Sequence, residues 1–260
     1  MLIHNGDKIV FAGDSVTDDN RARPIGEGSI YNLGNGFVRQ IDCFLNVDCP
    51  ENTFHLVNMG VSGNTSRDLL RRWETDVNAL APDWVVLCIG FNDVWRQFDL
   101  PSLPEAAVSP EEYRSNLAAM AESTAKNTSA KMIWMTPYYL EPNREDLMRK
   151  RMDEYGAIMK EEAEKRGIPC IDLQEKFANI LRYRYPAYIT WDRIHPGPVG
   201  SLIIARAFYR RSDSKRAENN FAKHRRENPG FGPQGGREIV SVGTAGRART
   251  VTDGGKSGEK

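Results

Sequence analysis

Four short stretches of the chain hold the residues whose types and spacing could do chemistry. "FAGDSVTD" places Ser15 just after an apolar run, and "NMGVSGNT" places Gly63 and Asn64 after a second one. "IGFNDVW" places Asn92 and Asp93 after a third, and "TWDRIHPG" sets Asp192 three residues before His195. A serine hydroxyl is a poor nucleophile until a base takes its proton. Histidine titrates near neutrality and suits that task. A carboxylate on its second ring nitrogen holds the base in one tautomer, and one loop can place both Asp192 and His195. The tetrahedral intermediate of acyl transfer puts negative charge on an oxygen, which needs preorganised donors. The backbone N–H groups of Ser15 and Gly63 and the side-chain amide of Asn92 are the candidates for that oxyanion hole.

Each of these stretches has an ordinary reading beside the chemical one. Ser and Asp favour turns at strand ends, so Ser15 alone would say little. Asp14 and Asp93 compete with Asp192 for the third place in the triad; Asp14 fits a structural role at the turn, and Asp93 fits holding the Asn92 loop. His195 gains by elimination. His4 precedes the first strand, His55 lies inside the strand-like "FHLVNMG", and His224 lies in the C-terminal tail.

Elements that could position these residues alternate along the chain up to about residue 210. "KIVFAG", "FHLVNMG", "DWVVLCIG", "KMIWMTP" and "IPCID" read as five buried strands. Between them, apolar residues recur at helical spacing. Phe37, Ile41, Phe44 and Leu45 form one stripe, and Leu69, Leu70, Trp73, Val77 and Leu80 another. Ser109, Pro110 and Glu112 announce a helix with a capping box. A charged helix follows around residues 145–166, ended by Gly167. The last helix, in "PVGSLIIARAFYR", is expected to bury Val199, Leu202, Ile203 and Phe208. Such alternation implies a mostly parallel sheet with helices on both faces. Ligands of these sheets bind beyond the carboxyl ends of the strands, so all four stretches can meet at one edge.

Composition bounds the rest. The 260 residues are 40% hydrophobic and 27% charged, with 35 basic and 35 acidic side chains. That balance gives no argument for a nucleic-acid partner. No apolar run approaches the roughly 18 residues of a membrane span, and the N-terminal stretch reads as the start of the fold rather than a signal peptide. The four cysteines, Cys43, Cys49, Cys88 and Cys170, show no metal-ligand spacing. They read as free thiols, a Cys43–Cys49 disulfide being the weaker alternative, and a cytoplasmic location is expected. No metal or cofactor is expected. Residues 211–260 differ from the rest, with 11 basic against 6 acidic side chains and nine of the 22 glycines. That stretch reads as a disordered tail, or as a non-native one such as a shifted reading frame would add.

The four blocks, in this order and at these separations, resemble those of the SGNH (GDSL-type) hydrolases. The Ser, Gly, Asn and His of that name correspond to Ser15, Gly63, Asn92 and His195, and the resemblance spans about residues 5–210. Finer features resemble the intracellular xylan acetylesterase branch: "RARPIGEG" followed by "LGNGFV", then "NDVWRQFDLP", "MTPYYLEPN", "MRKRMDEYG" and "WDRIHP". The resemblance implies a flavodoxin-like three-layer α/β/α fold with a five-stranded sheet over residues 1–210. It also implies removal of acetyl groups from xylo-oligosaccharides by a triad of Ser15, His195 and Asp192, and association of identical copies. The pattern of that branch ends soon after "IARAFYR", and residues 211–260 match nothing in it.

Around the core site, Trp191 and Trp95 are expected to wall a small acyl pocket and offer a platform for sugar, with core packing as the alternative. Asn64 and Arg96 are further candidates for substrate contact. The blocks fix the reaction rather than the ester, so a lysophospholipid or a thioester remains an alternative substrate. The stretches 93–108 and 137–146 would make that choice, and their mixed polarity favours a polar substrate. A phosphatase using Asp14 is disfavoured because Val16 stands where its second aspartate is needed. No phosphate-binding GxxxxGK[ST] loop occurs. A non-catalytic sugar-binding module would leave the Asp192–His195 pair without a purpose.

Overall fold

The computed structural model describes residues 2–212, so the reading of residues 211–260 as a tail lies almost wholly outside the described residues. Five strands form one sheet: β1 (Lys8–Gly13), β2 (His55–Asn58), β3 (Trp84–Cys88), β4 (Lys131–Met135) and β5 (Cys170–Ile171). Their order is β2-β1-β3-β4-β5, and every pairing is parallel. Strand order reverses on either side of β1, which opens a crevice at the carboxyl ends of β1 and β3. The strand runs are apolar on both faces, as a doubly covered parallel sheet requires. Ile9, Val10, Phe11 and Ala12 of β1 and Val85 and Leu87 of β3 are all fully buried.

Nine α-helices are described: α1 (Ser15–Asp18), α2 (Phe37–Asp48), α3 (Ser66–Arg71), α4 (Trp73–Asp76), α5 (Phe91–Asp99), α6 (Pro110–Asn127), α7 (Leu147–Lys165), α8 (Leu173–Leu181) and α9 (Pro198–Ser212). Helices α2, α8 and α9 pack together, and α3, α6 and α7 form a second set. The expected three-layer α/β/α arrangement is therefore observed. Among the described residues no helix is long and apolar enough to cross a membrane. Cys43 is an exposed free thiol, so no Cys43–Cys49 disulfide forms.

Local expectations were met unevenly. Ser109 Oγ accepts from the Glu112 N–H and caps α6, but the Glu112 carboxylate leaves the expected box and pairs with Arg67. The stripe from Leu69 to Leu80 is not one helix. It breaks at Arg72, whose guanidinium turns inward to the Asn64 side chain and the Met59 and Gly13 carbonyls. In α9 the buried face is Gly200, Ser201, Ile204, Ala205 and Phe208, whereas Val199 and Leu202 are 39% and 47% exposed. Gly200 causes the rotation. A Cβ there would lie 2.6 Å from Pro196 Cβ, so the helix start packs through its one residue without a side chain. Helices α5 and α8 went unforeseen, and α5 occupies much of the stretch expected to be a substrate loop.

Candidate active site

The carboxyl end of β1 turns directly into α1, and Ser15 is the first residue of that turn. Gly13 makes the turn possible, since a Cβ there would lie 2.3 Å from both the Cys88 carbonyl and Thr17 Oγ1. Asp14 caps α1, its Oδ1 accepting from the Val16 N–H at 3.1 Å.

Ser15 Oγ lies 2.7 Å from His195 Nε2, and His195 Nδ1 lies 2.5 Å from Asp192 Oδ2. With a carboxylate accepting at Nδ1, the proton sits on that nitrogen and Nε2 is left to accept from the serine. Asp192 does a second task with its other oxygen. Oδ1 accepts from the His195 N–H at 2.8 Å, the Ile194 N–H at 3.0 Å and Thr190 Oγ1 at 3.0 Å. The same carboxylate therefore folds the loop and orients the ring that the loop carries. Arg193 takes φ +71° to wrap the chain around it, and a Thr190–Pro196 bridge closes the base.

Electrostatics follow this geometry. The hydrogen bond from His195 Nδ1 to the Asp192 carboxylate raises the His195 pKa above its ordinary 6.5, against the opposing effect of burial. Burial alone would push the Asp192 carboxyl up, but the His195 ring and the His195 and Ile194 N–H groups outweigh it and the net shift is downward. Of the three aspartates that compete for the base, only Asp192 bonds its ring. Asp14 is wholly buried behind Ser15, with Oδ2 unpartnered, and burial pushes its carboxyl up to about 7. Asp93, also wholly buried, accepts from the Ser66 N–H at 2.9 Å and from Ser66 Oγ at 2.5 Å. It ties the loop after β2 to α5, the structural role expected of it.

The loop after β2 carries Gly63, at φ +84°. Its neighbours' N–H groups are all spoken for. Those of Met59, Val61 and Asn64 bond backbone carbonyls, and that of Gly60 bonds Asn58 Oδ1. Those of Ser62, Thr65 and Ser66 bond Asp18, Asp68 and Asp93. Among residues 59–66, Gly63 alone has an N–H with no acceptor within the described residues, and the Ser15 N–H has none either. Asn92, in the first turn of α5, gives one amide N–H to the Asn64 carbonyl at 3.0 Å. Its Oδ1 accepts from Arg96 Nη2 at 3.2 Å, which fixes the orientation of the amide.

Two indoles flank the base. Trp191 is 80% exposed and stacks on His195 at 9° and 5.9 Å between centroids. Trp95 approaches the same ring at 50° and 5.7 Å. Neither is a fully buried core aromatic. Asn64 and Arg96 are engaged within the protein: Asn64 Oδ1 accepts from Arg72, and Arg96 pairs with Asp99 as well as Asn92. Sequence reasoning missed Asp18, Ser62, Asn58 and Arg72, which hold the Gly63 loop from distant positions. No short motif signals contacts of that range. Among the described residues no three His, Cys, Asp or Glu side chains cluster as metal ligands. A cavity of about 610 Å³, lined by Trp84, Lys131 and Ile168 among others, lies at the opposite end of the strands and touches none of these groups.

This constellation can activate a serine, orient its base and meet an oxyanion. The sequence pattern of the GDSL-like lipase/acylhydrolase family matches residues 11–203. An acetylxylan esterase from Geobacillus stearothermophilus is 47% identical over 210 residues, covering 81% of this chain and 95% of its own. A crystal structure of the acetylxylan esterase from that organism superposes with a TM-score of 0.79 at 46% identity, over 82% of this chain and 96% of the other. Solved forms of that enzyme include catalytic mutants in which a serine, a histidine or an aspartate is replaced by alanine. An α/β hydrolase from the metagenome of Lake Arreo, Spain, gives 0.78 at 46% identity, over 82% and 97%. A match over this much of the chain, on a fold that brings the four blocks to one edge, makes it a member of the GDSL-like lipase/acylhydrolase family.

Proposed function

We propose that the protein is a serine esterase that removes O-acetyl groups from xylo-oligosaccharides through an acetyl-Ser15 intermediate. The observation that carries this reading is the unbroken hydrogen-bonded run from Ser15 through His195 to Asp192, set beside an exposed indole. Ser15 Oγ attacks the acetyl carbonyl carbon while its proton passes to His195 Nε2, and Asp192 stabilises the imidazolium that results. The developing oxyanion accepts from the Ser15 and Gly63 N–H groups and the Asn92 amide. Collapse breaks the ester bond, and the departing sugar oxygen takes the proton from His195. Water then attacks the acetyl-serine with His195 again as base, releasing acetate and restoring Ser15.

The sugar is assigned to the outer face of Trp191, with Trp95 walling the acyl side, because an exposed indole face suits a pyranose ring. Asn64 and Arg96 serve by holding Asn92 and its loop. The 47% identical acetylxylan esterase supports this substrate class over a lysophospholipid or a thioester. A cytoplasmic location and association of identical copies belong to the same proposal. The exposed thiol of Cys43 supports the first, and the exposed rings of Tyr183, Tyr185 and Tyr188 support the second.

The test is acetate release from acetylated xylo-oligosaccharides beside a long-chain ester, with Ser15→Ala as control. Release from the sugar that vanishes in the variant is the expected result. Activity on the long-chain ester alone would keep the triad and overturn the substrate, and activity surviving in Ser15→Ala would overturn the nucleophile.

A further inference from the structure

We infer that Asp18, clamped from outside by Arg23, is the positioning residue that aims the Gly63 N–H at the oxyanion. The inference rests on the esterase reading above and adds a device to it. Asp18 ends α1, the four-residue turn that Ser15 begins. Its side chain is 3% exposed, and Oδ2 accepts from the Ser62 N–H at 2.9 Å, Ser62 Oγ at 2.9 Å and Arg23 Nη2 at 2.6 Å. Ser62 immediately precedes Gly63. Two donors of the oxyanion hole are thereby referenced to one rigid turn: the Ser15 N–H at its start, and the Gly63 N–H through the carboxylate at its end.

Other contacts hold the loop on either side of Ser62 and Gly63. Gly60 lies so close to the turn that a Cβ there would sit 2.3 Å from the Asp18 nitrogen, and Asn58 Nδ2 binds the Thr17 carbonyl at 2.7 Å. These contacts seat the base of the loop, but neither reaches Ser62 or Gly63. Beyond Gly63 the Asn64 N–H closes onto the Val61 carbonyl, Arg72 and Asn92 bond Asn64, and Asp68 and Asp93 hold the residues that follow. Gly63 itself, at φ +84°, bridges the two anchored ends with its N–H unengaged. Asp18 is thus the side chain that fixes Ser62, the residue next to that donor.

Arg23 makes the clamp adjustable from solvent. Its side chain is 51% exposed, and it is the one cation bonded to the Asp18 carboxylate within the described residues. Arg21 and Asp19 also lie within reach of the Asp18 charge. Burial pushes the Asp18 carboxyl up, and the Arg23 and Ser62 bonds more than reverse this. Without Arg23 the balance tips back, the carboxyl takes a proton at higher pH, and a protonated Asp18 no longer draws Ser62 onto one oxygen.

Steady-state turnover of 4-nitrophenyl acetate across pH tests this in wild type, Arg23→Ala, Arg23→Lys, Ser62→Ala and Asp18→Asn, with a melting curve for each. Ser62→Ala and Asp18→Asn should lose about tenfold or more in kcat with KM within about threefold, the pattern of an interaction made in the transition state. In Arg23→Ala the Asp18 carboxyl takes its proton at higher pH than in wild type, so the low-pH end of the acid limb of log kcat should fall with a steeper slope, and Arg23→Lys should restore the wild-type slope. A purely structural Asp18 would lower melting temperatures without touching the slope. Wild-type kcat in Ser62→Ala together with a wild-type slope in Arg23→Ala would overturn the inference, even if Asp18→Asn fails to fold. If Ser15→Ala keeps the activity, the esterase reading fails first and this inference falls with it.

Discussion

The Trp191 indole lies parallel to the His195 ring, 9° off and 5.9 Å away, while Asp192, between them in sequence, bonds the ring at its edge. One seven-residue turn, closed by the Thr190–Pro196 bridge, therefore fixes the base by face and by edge at once. Trp95 on α5 closes in from another direction. His195 thus sits between the carboxylate that bonds its Nδ1 and two indoles. Several outcomes follow from how these parts are held.

Trp191 is mostly exposed, so Trp191→Ala removes little core and should leave the fold intact. Losing the stack forfeits about 0.5–1.5 kcal/mol of ring–ring contact, which loosens His195 modestly. Losing the platform affects only substrates that carry a sugar. KM for acetylated xylo-oligosaccharides should therefore rise about tenfold, while kcat on 4-nitrophenyl acetate falls no more than about threefold. Equal losses on both esters would mean that the indole serves the base and not the sugar.

His195 must be neutral to take the serine proton, and Asp192 raises its pKa above 6.5. Activity is thus full at alkaline pH and is lost as pH falls through that raised value. The midpoint of the acid limb in kcat/KM should lie above 6.5. Asp192→Asn removes the partner that raises the pKa and leaves burial, which lowers it. The midpoint should move down, and kcat should fall by about 10⁴, the loss seen when a triad carboxylate becomes an amide. A pH profile flat to pH 4 in wild type would contradict His195 as the base.

Asn92, the proposed oxyanion donor, carries an amide whose orientation Arg96 and the Asn64 carbonyl fix. Asn92→Ala should cost about 10²–10³ in kcat, the loss expected for one preorganised donor. Arg96→Ala leaves the amide in place but free to turn, so a smaller drop in kcat is expected with KM nearly unchanged. Single-turnover and steady-state kinetics on acetylated xylo-oligosaccharides distinguish the roles. A rise in KM without a fall in kcat would make Arg96 a substrate ligand instead.

Much of this site was legible in the sequence because its chemistry is local to strand exits. Ser15, Gly63, Asn92 and the Asp192–His195 pair each stand in a short block, and a parallel sheet carries all strand ends to one edge. Three-dimensional contact adds to what the residues left open. Asp14 and Asp93 compete in the sequence with Asp192 for the third triad place, and in the structure Asp192 is the one of the three bonded to His195 Nδ1. Arg96, a candidate for substrate contact in the sequence, is engaged by Asn92 and Asp99 in the structure. The inward face of α9 was misread because Gly200 approaches Pro196 more closely than any larger residue could, which turns Val199 and Leu202 outward. The helix broken at Arg72 follows the same logic. An inward guanidinium serving three distant acceptors outweighs an uninterrupted apolar stripe.

Asp14 yields a prediction about stability rather than turnover. Burial lifts its carboxyl from 3.8 in the unfolded chain to about 7 in the fold. A group whose folded pKa is raised contributes stability that is fully present below the unfolded value and lost as pH rises through the folded one. Wild type should therefore lose stability between about pH 4 and pH 7 on account of this residue. Asp14→Asn keeps an oxygen for the Val16 N–H but cannot ionise. It also places an amide N–H₂ where Oδ2 has no partner, a cost that does not vary with pH. The sign of the variant's effect at any single pH is thus uninformative, and its trend decides. The melting temperature of Asp14→Asn relative to wild type should climb from pH 5 to pH 8. Asp93, raised to about 7 by its own burial, remains in both proteins, and because its charge also raises Asp14 the two titrations are linked. A difference that stays constant over that range would mean that Asp14 is ionised throughout, and that the charge behind Ser15 is a permanent part of the site.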